Sequence, residues 1–125
     1  MRVRLDLFYR DASNYKESGS YTFAGPLRAD DVFRLQGAID GEMGMVPSAV
    51  GLEHVSIGEG RTEDDHAWHE VRCVAVEDGD PEDPRTFEAF VDACTKANWS
   101  VAEGRWMVET PFRDPEEDDD MGGYA

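Results

Sequence analysis

Residues 2–10, RVRLDLFYR, alternate so regularly that they are suited to little except a β-strand with one dry and one wet face. Val3, Leu5, Leu7 and Tyr9 fall on one side and Arg2, Arg4, Asp6 and Arg10 on the other, because successive strand side chains point to opposite faces. Phe8 is the exception, a ring on the charged side. Such a strand needs sheet partners and a layer over its dry face. The turn formers Asp11-Ala12-Ser13-Asn14 follow, and then residues 20–24 resume the alternation with Tyr21 and Phe23 together. The two segments read as an antiparallel hairpin whose loop is longer than the tightest turns.

The rest of the chain supplies the covering layer. Residues 29–39 predict a helix with Asp30 and Asp31 in its first turn, where the helix dipole favours acids. Its expected buried stripe is Val32, Leu35 and Ile39, with Phe33 at the margin and Gly41 as its stop. Residues 40–65 carry no clear period, and six glycines fall from Gly37 to Gly60, so long loops with one short element near 49–52 are expected. Connections of that length are often functional. Residues 69–77, HEVRCVAVE, are apolar on both faces: Val71, Cys73 and Ala75 on one, Val74 and Val76 on the other. That pattern predicts a central strand. Thr86 or Asp83 caps the next helix, where Phe87, Phe90, Val91 and Cys94 recur at i, i+3, i+4 and i+7. Ser100-Val101-Ala102-Glu103 has the form of a capping box, so residues up to Met107 read as a terminal helix or, alternatively, 105–109 as an edge strand. The expectation is a single α+β domain over residues 1–110, in ββα-loop-βα order. Its sheet is antiparallel or mixed, with helices on one face. Residues 111–125 lack the apolar content to order themselves and read as a mobile acidic tail.

Charge narrows the function. The formal net charge is −16, and it is uneven. Residues 1–35 hold six basic and five acidic side chains, whereas residues 36–112 hold five basic and seventeen acidic, and the rest one and six. Such a surface repels phosphates and anionic lipids, which argues against direct nucleic-acid or membrane binding. No stretch approaches the roughly 20 apolar residues that span a bilayer, and the alternating N-terminus is unlike a signal peptide. A cytoplasmic protein is the expectation. Cys73 and Cys94 then read as free, buried thiols, with a disulfide between them as the lesser alternative.

Two polar segments are candidate sites. Glu63-Asp64-Asp65-His66-Ala67-Trp68-His69-Glu70 brings imidazoles and carboxylates together, so Asp64, Asp65, His66, His69 and Glu70 form a candidate divalent-metal set, zinc for instance. The His-x-x-His-Glu spacing matches neither metalloprotease pattern. On a strand, His69 and Glu70 also point to opposite faces. The bland alternative is a loop running into a strand. The second segment offers Tyr9, Arg10, Asp11, Asn14, Tyr15 and Lys16 as a candidate recognition surface, since aromatic and arginine side chains anchor interfaces. If strands one and three are antiparallel neighbours, the end of the first lies beside the start of the other. Arg10 and Asp11 then approach His69, and Arg10 can pair with Asp64 or Asp65. Gly58-Glu59-Gly60 lacks the lysine of a phosphate loop, and no serine has an adjacent activating base.

In the segments YRDASNYK (9–16) and DDHAWHE (64–70) the chain resembles a set of small, uncharacterised bacterial and phage proteins. That resemblance covers most of residues 1–100 and carries no activity, so it transfers no functional residue. The residues themselves point to a non-enzymatic module whose acidic surface binds a basic protein partner, an inhibitor or adaptor of a nucleic-acid-binding protein for example. One rival is a metal-dependent hydrolase built on Asp64, Asp65, His66 and His69. Another is a domain from a high-salt host, which ten arginines against two lysines also fit.

Overall fold

A computed structural model describes residues 1–12, 16–55 and 65–110. Asn14, Tyr15, Asp64, Gly58-Glu59-Gly60 and the acidic segment 111–125 lie outside the described residues. The elements are β1 (Arg2–Arg10), β2 (Lys16–Ala24), α1 (Ala29–Ala38), a 3-10 turn η1 (Pro47–Val50), β3 (Glu70–Glu77), α2 (Phe87–Lys96) and α3 (Trp99–Glu109). They form an α+β domain on an antiparallel three-stranded sheet of order β2-β1-β3. None of its helices is long and apolar enough to cross a membrane, among the described residues.

The alternation of β1 is realised in full: Val3, Leu5, Leu7 and Tyr9 are buried. They meet Leu35 of α1 and Phe87, Phe90, Val91 and Cys94 of α2 in one core, so both helices cover the same face. Phe23 of β2 stacks on Phe90 with centroids 4.5 Å apart. Thr86 caps α2, its hydroxyl accepting from the Ala89 N–H. On the wet face, Arg2 and Arg4 both donate to Glu77 of β3, and Ser20 of β2 donates to Asp6.

β3 is an edge strand, not the central one, and a β-bulge accounts for its two-faced apolar pattern. Asp6 pairs with Cys73 but Leu7 pairs with Val71, leaving Arg72 as the extra residue. Directly opposed antiparallel residues share a face. Val71, Val74 and Val76 therefore lie on the core side with Leu7, Leu5 and Val3. Cys73, Ala75 and Glu77 lie on the wet side with Asp6, Arg4 and Arg2. The two apolar faces expected from the sequence are one face read across an insertion. Cys73 is accordingly exposed, whereas Cys94 is buried, and both are free thiols. The bulge also accounts for Phe8: the Arg72 guanidinium lies over its ring at 4.0 Å and that of Arg10 at 5.6 Å, two cation–π contacts.

Two helix boundaries differ from expectation. α1 buries Asp31 with Leu35, while Phe33 is 71% exposed, because the helix turns toward α2. Arg34 bridges Asp31 and Asp92 of α2 at that contact. α1 stops at Ala38 with an extended Ile39, and the turn beyond it is closed by Asp40 and Gly44 rather than by Gly41. α3 is helical throughout 105–109 and starts before Ser100, with Asn98 as its cap accepting from the Val101 N–H. Three tryptophans fasten it. Trp99 donates to the Ala38 carbonyl, Trp68 donates to Glu103, and Trp106 is buried beside Val46 and Ala67.

Candidate functional site

The antiparallel pairing of β1 with β3 brings the two polar segments together, as their order on the sheet requires. The buried Tyr9 hydroxyl donates to Asp65 Oδ1 at 2.6 Å and accepts from the His66 N–H at 3.3 Å. The His66 ring tautomer follows from its partners. Its Nδ1 accepts from the Trp68 N–H, so Nε2 carries the proton and donates to the Arg10 carbonyl at 2.6 Å. The segments thus join through the Tyr9 hydroxyl and the Arg10 backbone. The Arg10 guanidinium itself lies over Phe8.

His69 is 1% exposed. Its Nε2 accepts from the Val55 N–H at 3.0 Å, which leaves the proton on Nδ1, facing the Ala67 carbonyl at 3.3 Å. The backbone of His69 exchanges two hydrogen bonds with Met45. One residue therefore ties together the start of β3, the strand-like Met45 and the segment after η1.

The sequence reading missed His54. Its ring stacks on Trp106 at 5.1 Å and 7°, and meets His69 edge-on at 4.8 Å. Both of its ring nitrogens are buried without a hydrogen-bond partner among the described residues. The three histidines of the chain therefore form one cluster, with His66 and His69 against Tyr9 and His54 against His69. The available signal was the flanking Leu52 and Val55, which mark an inward-facing stretch inside an otherwise aperiodic loop.

The electrostatics follow from burial. Burial, then the neighbouring His54, pulls His69 down to about 3. Burial, then His66, pulls His54 down to about 4. Burial, then Asp65, pushes Tyr9 well above the usual phenol range. At neutral pH, His54 and His69 are neutral rings and Tyr9 keeps its proton, an arrangement that fastens backbone segments.

This geometry bears on both candidate sets. Of the metal set, Glu70 is exposed and pairs with Arg72 on the strand, while His66 and His69 direct their nitrogens to backbone groups. Among the described residues, no group of three or more histidine, cysteine or carboxylate side chains is arranged to hold a metal ion. Of the recognition set, Tyr9 is 1% exposed and belongs to the core, which removes it as a surface anchor. Arg10 and Lys16 are exposed and stand opposite each other in the register at the loop end of the hairpin, with Asp11 half-buried beside them.

Tyr9→Phe tests the junction. It removes a hydrogen bond to a carboxylate and leaves the His66 N–H without its acceptor, so stability is expected to fall by about 2 kcal/mol in urea unfolding at pH 7. A change within the error of the wild-type midpoint would contradict the described junction. Comparison of the chain with protein-family models, with curated proteins and with solved structures finds no match.

Proposed function

We propose that this chain is a non-enzymatic cytoplasmic module that occupies a basic surface of a protein partner, as an inhibitor or adaptor of a nucleic-acid-binding protein would. One observation carries the reading. Seven of the eight described arginines are ion-paired to carboxylates of the chain itself, and the eighth, Arg10, lies over Phe8. Most of the arginine charge among the described residues is thus matched internally, and a surplus of carboxylates faces solvent.

Part of that surplus collects at the end of the sheet where β1 begins. Arg2 reaches the Asp80 carbonyl there, and Arg28 meets Glu88 across the starts of α1 and α2. Asp30, Asp78, Asp80 and Glu82 are all exposed around this end. A field of one sign steers an oppositely charged partner and repels nucleic acid and anionic membranes.

Affinity capture with the full chain is expected to retain basic proteins at low salt and release them near 1 M, as the screening length shortens from about 10 Å to about 3 Å. Recovery of no basic protein, or retention indifferent to salt, would sink the reading. Metal analysis of protein purified without chelator addresses the hydrolase alternative, since stoichiometric zinc would displace the binding-module reading. Stability that climbs steeply up to molar salt would instead mark the acidity as adaptation to a high-salt host.

A further inference from the structure

α1 packs on α2 and leaves the outer part of β3 uncovered. Between them runs an open groove of about 340 Å³, floored by Val32 and Leu35 of α1, by Ile39 just beyond it, and by Val71 and Val74 of β3. Past Ile39 it continues into a second hollow of about 300 Å³, which Asp40 and Glu42 line with carboxylates beside the Glu70–Arg72 ion pair. All three acidic side chains are exposed. Hydrogen bonds from the backbone of Glu42 and Met43 hold Asp40 below the usual carboxylate range, so it stays ionised. At the other end of the strand Val76, on the same face, is 48% exposed. Among the described residues, β3 pairs only with β1, and its opposite edge carries no strand beyond the Met45–His69 bridge.

We propose that this groove receives an extended basic segment of the partner, which adds to the free edge of β3 as a fourth strand. Its apolar side chains would lie between α1 and β3, and a lysine or arginine would reach Asp40, Glu42 and Glu70. The inference rests on the binding-module reading and names where and how the partner is held. An unpaired edge offers main-chain hydrogen bonds to any extended chain, and pockets beside it select the side chains. Charge selects the occupant. A second copy would bring another −16 to an edge already flanked by carboxylates, whereas a cationic strand meets complementary charge.

Cys73 reports on this edge, because it is the exposed thiol of β3. Cys94 is buried and pushed up to about 12, which keeps it silent toward alkylation. The probe is a six-residue peptide alternating valine with lysine, beside a counterpart with glutamate for lysine. The lysine peptide is expected to slow alkylation of Cys73 in the full chain roughly tenfold at saturation, since a cross-strand lysine of the added strand would lie over the thiol on the wet face. The double variant Glu42→Lys with Glu70→Lys, both at exposed positions, is expected to lose that protection and gain it with the glutamate peptide. Equal protection by both peptides would overturn the basic occupant while keeping strand addition. Protection by neither would overturn the groove, and salt-sensitive capture of a basic protein would then still stand for the module as a whole.

Discussion

Gly44→Ala is expected to destabilise the chain by about 3 kcal/mol or more, a large effect for adding one methyl group to a loop. Gly44 adopts φ +94°, a backbone conformation that side chains with a Cβ resist. A Cβ there would lie 2.0 Å from the His69 carbonyl oxygen and 2.8 Å from its carbon. Neither atom can swing aside, because that oxygen accepts from the Met45 N–H while the His69 N–H donates to Met45 at 2.7 Å. Relief requires opening this bridge. With it go two buried hydrogen bonds and the seat of His69, whose ring holds Val55. Gly41, three residues away, is the control. A Cβ there meets nothing within 4 Å, so Gly41→Ala should stay within about 0.5 kcal/mol of wild type. Urea unfolding of both variants decides the matter, and equal midpoints would show that the Met45–His69 bridge does not hold the loop.

The glycine-rich stretch was the least legible part of the chain, and Gly44 illustrates why. Glycines in sequence announce a departure from helix and strand without saying which of them is pressed against backbone. Gly41 and Gly44 look alike in the sequence and differ entirely in surroundings. β1 and α2 were legible because each buries one face at its own period, and Val3, Leu5, Leu7 and Tyr9, like Phe87, Phe90, Val91 and Cys94, are all in the core. β3 was legible as a strand but not in its place. Its bulge at Arg72 shifts the phase of the valines, and only the register against Asp6 and Leu7 reveals it. α1 misled for another reason. Asp31 is buried because Arg34 stands beside it at the contact with α2, an ionic detail that a hydrophobic stripe does not contain. That the end of β1 lies beside the start of β3 followed from antiparallel order. The junction itself runs through the Tyr9 hydroxyl and the Arg10 carbonyl, which the sequence reading did not single out. His54 was missed as well, since nothing in its loop repeats.

The histidine cluster makes the fold acid-sensitive in a window set by its own burial. In the unfolded chain a histidine titrates near 6.5, while His54 and His69 are held down to about 4 and about 3 in the fold. Between those limits the unfolded state binds more protons, so stability must fall as pH falls. Each ring contributes a slope of about 1.4 kcal/mol per pH unit once the window is entered. Allowing for the part-exposure of His54, the two together are expected to remove about 3 kcal/mol between pH 7 and pH 5. The groups facing them are Tyr9, His66 and the Asp65 carboxylate bound to Tyr9. A first proton in the cluster opposes a second, so the rings titrate as a coupled set. Carboxylates act later. Glu77, Asp83 and Asp40 are held down by Arg2 and Arg4, by Arg85, and by backbone N–H groups. Their contributions are present above about pH 4 and are lost as pH falls below it. Protonating the surplus acids relieves self-repulsion there and acts in the opposite sense. Unfolding free energies at pH 7, 6 and 5 therefore isolate the histidines. His54→Phe keeps the stack on Trp106, deletes both unpartnered nitrogens, and is expected to raise stability at pH 7 by about 1 kcal/mol while flattening the acid slope by about half. A wild-type curve level from pH 7 to pH 5 would mean that these rings are not buried as described.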